Sequence, residues 1–128
     1  MPLLPIRKRY RKKNEIKVIE IYEAFECGPI LNPANLESQV HGCIIMGLGG
    51  ALSEEIQFDK GIISNPSFRK YKVPRFKDVP KISVKLINNS DIPSAGGGET
   101  PIIAVAPAIG NAVFSAIGVR LRSMPLRV

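Results

Sequence analysis

The stretch Asn32-Pro-Ala-Asn-Leu-Glu-Ser-Gln-Val-His-Gly-Cys-Ile-Ile-Met-Gly-Leu-Gly-Gly-Ala-Leu52 sets the fold. Asn32 is a strong helix N-cap, and Pro33 fits the first helical position, where an amide hydrogen would have no partner. Leu36, Val40, Cys43 (or Ile44) and Gly47 recur at helical spacing, which predicts a helix over residues 33–52 with one apolar stripe. Its second half holds Gly42, Gly47, Gly49 and Gly50. Each glycine costs about 1 kcal/mol against alanine in a helix interior, so something needs a close approach. Either the helix packs tightly on a sheet or another helix, or a ligand or second backbone lies against it.

Upstream, residues 15–27 read as a strand, with Ile16, Val18, Ile19, Ile21, Tyr22 and Phe25 among alternating charges. Downstream, residues 54–58 and 61–63 read as a short hairpin turning at Asp59-Lys60-Gly61. Residues 65–80 read as a long ordered connection, with Phe68, Tyr71 and Phe76 pinning a backbone punctuated by Pro66, Pro74 and Pro80. Residues 81–88 alternate as a strand with one buried face. Pro101 opens a second helix with Ile102, Val105, Ile109, Val113 (or Ala112) and Ile117 (or Ala116) on one side. Pro107 kinks it or marks its true start, and Gly118 closes it. The basic segment 120–127 is anchored by Leu121, Met124 and Leu126. The fold class expected is α+β, two main helices packed on a mixed sheet of about four to five short strands.

The chain has 128 residues, enough for one domain and too few for two full cores. Its 45% hydrophobic content excludes disorder along most of its length. The net charge of +7 suggests nucleic acid, but six of the cations lie within residues 7–13, and without them the balance is +1. Only Tyr10 stands among them for base stacking, so the cluster reads as a mobile tail over residues 1–14, with residues 15–128 as the domain. Nucleic acid is thus a disfavoured partner. The apolar runs at residues 42–52 and 101–109 are too short to span a bilayer. No signal peptide is evident, and the compartment, cytoplasmic or periplasmic, stays open. Cys27 and Cys43 are too few for a disulfide framework or a zinc site, and neither has an activating neighbour in sequence. His41 has no metal-ligand partner at a suitable spacing.

Ser94-Ala-Gly-Gly-Gly-Glu-Thr-Pro101 carries the chemistry. Three glycines let backbone amides turn to an anion or electron-rich cofactor, at the start of a helix whose dipole favours negative charge. Glu99 is then either a carboxylate complementing that dipole or a general base beside a cofactor. Gln39 either reads a heterocycle edge or packs the helix. Glu54 and Glu55 read as the solvated end of the first helix.

Several of these segments together resemble one family. They are Ala24-Phe-Glu-Cys-Gly-Pro-Ile-Leu-Asn-Pro33, Gln39-Val-His-Gly-Cys-Ile-Ile-Met-Gly-Leu-Gly-Gly-Ala-Leu52, Asn65-Pro66, Tyr71-Lys-Val-Pro-Arg-Phe-Lys-Asp-Val-Pro80, Gly96-Gly-Gly-Glu-Thr-Pro101 and Ala106-Pro-Ala-Ile-Gly-Asn-Ala-Val-Phe114. The pattern is similar to the C-terminal end of the molybdopterin-binding subunit of the xanthine dehydrogenase and aldehyde oxidase family, in particular the isoquinoline 1-oxidoreductase β-subunit branch.

The resemblance implies a molybdenum hydroxylase acting on an N-heterocycle or aldehyde, with water as oxygen source. It implies Glu99 as the catalytic base, Gln39 near the pterin, and Ala95, Gly96, Gly97 and Gly98 facing the cofactor. That cofactor would be molybdopterin, plain or in its cytosine dinucleotide form. The implied partners are the remainder of the subunit and an iron–sulfur electron-transfer subunit or domain. The family subunit is several times longer, so the chain alone is expected to be inactive and to self-associate, as a homo-oligomer for instance. The alternatives are a non-catalytic interaction module and a truncated remnant of the same fold.

Overall fold

The computed structural model describes residues 15–128; the basic cluster of residues 7–13 and the tail expected over 1–14 lie outside the described residues. Strand β1 (Glu20–Glu26) leads through a turn into α1 (Pro33–Leu52). A hairpin, β2 (Phe58–Asp59) and β3 (Ile62–Ile63), follows. A 3-10 turn (Phe76–Asp78) precedes β4 (Lys81–Ile87), and a second 3-10 turn (Thr100–Ala104) leads into α2 (Val105–Ile117).

β1 and β4 pair in parallel, from Glu20 opposite Lys81 to Glu26 opposite Ile87. Parallel neighbours need a long crossover, which α1 supplies. An ion pair of 2.9 Å between Lys81 Nζ and Glu20 Oε1 marks the start of this ladder. β2 and β3 form a separate antiparallel pair. The α+β class and the two helices are as expected. The four strands, however, divide between two sheets instead of joining one mixed sheet. The hairpin strands are two residues each and exposed, too short to reach the parallel pair.

The core lies where α1 and α2 cover one face of the β1–β4 pair. Val18, Ile21 and Phe25 meet Val40, Ile44, Leu48 and Ala51 of α1 and Val105, Ile109 and Val113 of α2. The Asn32 side chain accepts from the Asn35 amide at 3.0 Å, so α1 starts at its expected cap. α2 ends at Gly118 in the left-handed region, φ 72°. Its true start is Val105, because residues 100–104 wind as a 3-10 turn. Arg120 lies over the Phe114 ring at 3.6 Å from its centroid and bonds Asn111 at 3.0 Å, a cation at the end of α2 where the dipole favours it.

Gly47 explains one close approach. A Cβ there would come within 2.8 Å of Val105 side-chain atoms, so the glycine lets α2 seat on α1. Gly42 and Gly50 have open space around them. The packing reading therefore accounts for Gly47 and leaves those two glycines without a structural need.

Four expectations are corrected. Phe68 and Phe76 are 93% and 100% exposed and pin nothing; buried Asn65 orders the connection instead. Its Nδ2 donates to Glu55 O at 2.7 Å and its Oδ1 accepts from Gln57 N at 2.9 Å. Glu54 and Glu55 are half-buried and engaged, because the chain folds back on them. Tyr71 Oη donates to Glu54 at 3.1 Å, and Arg127 reaches Glu55 at 2.7 Å. Met124 is exposed, and Leu126 anchors the terminal segment through its amide to Ala51 O at 2.7 Å. Finally, Thr100–Ile117 is 18 residues of mean hydropathy 1.6, long and apolar enough by length and composition to cross a membrane. The reading of short runs stopped at residue 109, yet the uncharged Gly110, Asn111 and Ser115 interrupt nothing. Val105, Ile109 and Val113 pack this helix into the core, and Ile103, Phe114 and Ile117 stay exposed.

Candidate functional site

Gly28 begins the site. It takes φ +86°, and a Cβ there would come within 2.7 Å of the Pro93 carbonyl oxygen. Only glycine lets the turn after β1 and the loop after β4 close this tightly. The Ala95 amide then donates to the Cys27 carbonyl at 2.9 Å, seating the start of the glycine run. That bond uses the Ala95 amide hydrogen within the chain. The amides of Gly96, Gly97 and Gly98 have no hydrogen-bond partner among the described residues. Gly97 is held against the Leu36 side chain, whereas Gly96 and Gly98 have open space where a Cβ would stand.

α1 holds the other end of the run. Gln39 Nε2 donates to the Gly98 carbonyl at 3.0 Å, and Cys43 Sγ lies 3.4 Å from the same oxygen. The two side chains sit one helical turn apart, so both point at one carbonyl. Gln39, the glycine run and Glu99 are thereby brought onto one surface. Glu99 is the N-cap residue of the 3-10 turn, and its carbonyl accepts from Ile102 N at 3.0 Å. Its side chain makes no capping bond and is exposed. The expected helix dipole is not at Glu99, because α2 begins only at Val105. Among the described residues no three His, Cys, Asp or Glu side chains cluster as metal ligands.

Two titratable groups to which the sequence reading gave no role are shifted from their ordinary values. Burial pushes the Cys43 thiol up, and the charges of Glu23 and Glu99 push it further, against the Ile102 amide, which lowers it. Glu23, half-buried on β1, has its carboxyl pushed up to about 7 by burial. It lines a crevice with Glu20, Ile21, Tyr22, Ala104, Val105, Ala108 and Ile109 that does not include Gln39 or Glu99. The strand alternation was its only signal: Glu23 falls on the same face as Ile21 and Phe25. His41 is half-buried, with Nε2 lacking a hydrogen-bond partner among the described residues.

The molybdopterin cofactor-binding domain model matches residues 11–80, which include Gln39 but not Glu99. Pairwise similarity extends further. The xanthine dehydrogenase molybdenum-binding subunit of Escherichia coli is 40% identical over 118 residues, 88% of this chain and 16% of that protein. The isoquinoline 1-oxidoreductase subunit beta of Brevundimonas diminuta is 35% identical over 91% of this chain and 15% of its own length. Quinoline 2-oxidoreductase from Pseudomonas putida 86 superposes with a TM-score of 0.76 and 26% identity, covering 85% of this chain and 15% of that one. The chain thus spans about a sixth of the length of the curated relatives it matches. The alternating core, the Gly28 turn and the matched residues agree: this chain belongs to the molybdopterin cofactor-binding domain family.

Proposed function

We propose that Gln39, the glycine run 96–98 and Glu99 form one wall of a molybdopterin site in a molybdenum hydroxylase, completed by other parts of a longer subunit. The observation that carries this reading is the 3.0 Å bond from Gln39 to the Gly98 carbonyl, which joins α1 to the loop bearing Glu99. The surface fits such a group. Three unpartnered amides and the open space at Gly96 and Gly98 leave room for a polar, electron-rich ring system to lie against backbone.

The bound cofactor would supply the two-electron redox chemistry. This chain's part is to present the Glu99 carboxylate, whose Oε atoms take up and return a proton at the reacting centre. Gln39 orients the loop from behind, and Cys43 shares that load. Two of the relatives named above are subunits, which supports a partner that carries electrons away, an iron–sulfur protein by its chemistry. Their names also support an N-heterocycle, a purine among them, as substrate.

Alone, the chain leaves Glu99 open to water. The purified chain, given cofactor, substrate and a dye acceptor, is expected to show no hydroxylation. Robust turnover without another polypeptide would refute the need for completion. Co-purification of molybdenum with the completed subunit, read by elemental analysis, separates the cofactor-binding reading from a non-catalytic module of the same fold.

A further inference from the structure

α2 has a second apolar side, turned away from the core. Val105, Ile109 and Val113 are buried, whereas Pro107, Phe114 and Ile117 are exposed. With Gly110 these three fall at i, i+3, i+7 and i+10, one stripe along the helix. Exposed Ile103 extends it into the preceding 3-10 turn. Gly110 stands at the middle of the stripe, with nothing within 4 Å of where a Cβ would be. A glycine in a helix interior costs about 1 kcal/mol against alanine, and no contact inside the described chain requires this one. It leaves room for a second helix to cross at close range.

The charges at the two ends identify that helix. Residues 100–119 are all uncharged, with Glu99 before them and Arg120 after. The Glu99 side chain is exposed and makes no capping bond. Arg120 is folded back over the Phe114 ring, 3.6 Å from its centroid, and donates to Asn111 at 3.0 Å, so its guanidinium lies against a residue of the stripe. Neither charge has an ion-pair partner among the described residues. A helix that is negative before its start, positive after its end and apolar between is complementary to itself turned end for end. We propose that this outer side of α2 is a homodimer surface, on which two copies of the chain cross antiparallel at Gly110 and Glu99 of each copy pairs with Arg120 of the other.

Glu99 lies eleven positions before Gly110 and Arg120 ten after it, so a two-fold axis at Gly110 forms both pairs at once. The alternating three- and four-residue spacing of the stripe suits a shallow crossing of about 20°, which keeps the helix ends together. Arg120 exchanges the neutral Asn111 oxygen for a carboxylate, the stronger acceptor. The two helix dipoles also run opposed. One side of a 13-residue helix offers less than the roughly 800 Å² that each partner gives a stable interface, so the dimer is weak and grows with concentration. It is the form of the chain not yet completed by other polypeptide, because Arg120 of the second copy occupies Glu99. The inference stands on α2 and its test needs no cofactor, so it fails or holds apart from the cofactor site.

The test is sedimentation velocity of the full chain over a range of protein and sodium chloride concentrations. A monomer–dimer equilibrium that weakens with salt is expected. Gly110→Leu has room in the monomer and should keep the wild-type circular dichroism, yet weaken the dimer roughly tenfold or more. Glu99→Arg and Arg120→Glu should each weaken it about 2- to 10-fold, and the two together should restore it. If Gly110→Leu does not fold, the charge exchange still decides the matter. A monomer at every concentration would leave this side of α2 to the rest of a longer subunit and overturn the proposal. So would a dimer indifferent to Gly110→Leu, or a double variant no better than the single ones. Flotation of the monomer with phosphatidylcholine vesicles, which the apolar run Thr100–Ile117 is long enough to allow, would overturn it in favour of a lipid surface.

Discussion

Gln39 and Gly98 are 59 positions apart in the chain, and a 3.0 Å hydrogen bond from the side-chain amide of one to the carbonyl of the other joins α1 to the glycine run. The residue next along the chain is Glu99. One polar contact therefore sets where the Glu99 carboxylate stands relative to the helix.

Removing that contact should loosen the loop more than the fold. Gln39→Ala is expected to cost about 0.5–1 kcal/mol of stability, since the side chain is exposed and Cys43 still faces the same oxygen. Hydrogen exchange at the amides of residues 96–99 should quicken while core amides stay protected. Equal loosening of the core would contradict the assignment.

Two glycines of α1 should respond with opposite sign. Gly47→Ala places a Cβ within 2.8 Å of Val105 and should destabilise by about 1–3 kcal/mol. Gly50→Ala meets nothing within 4 Å and should stabilise by about 0.5–1 kcal/mol. Chemical denaturation of the two variants gives both values.

Glu23 gives the stability a pH dependence. Its carboxyl rises from the ordinary 4.5 to about 7, so the folded chain binds that proton more tightly than the unfolded one. The stabilisation is fully present below pH 4.5 and is lost as pH rises through about 7. Glu23→Gln should flatten this slope and gain about 1–2 kcal/mol relative to wild type at alkaline pH, a value limited because water still reaches the carboxyl.

Phe68, Phe76 and Ile103 are exposed, as are Phe114 and Ile117 of α2. Apolar area of this kind calls for cover. Sedimentation velocity should show association that grows with concentration, and a clean monomer at high concentration would count against it.

The sequence disclosed most where the physics is local. Asn32 and Pro33 fixed the start of α1 within the residue, and Gly118 fixed the end of α2, because caps depend on side chains a few positions away. The parallel ladder from residue 20 to 26 was narrower than the apolar run from 15 to 27, since only its second half pairs with β4. The exposure of Phe68 and Phe76 was illegible, because aromatic content does not say what lies opposite. Gln39 and Glu99 could be paired only through the resemblance. Glu23 was hidden among alternating charges, and its burial depends on α2 packing from more than 80 positions away.

The most direct measurement is an NMR titration of the labelled chain with molybdopterin. The account predicts that the largest shifts fall on the backbone amides of Gly96, Gly97, Gly98 and Glu99 and on the Gln39 side-chain amide, and that Gln39→Ala weakens them. Shifts confined to other parts of the surface, or none at saturating cofactor, would contradict it.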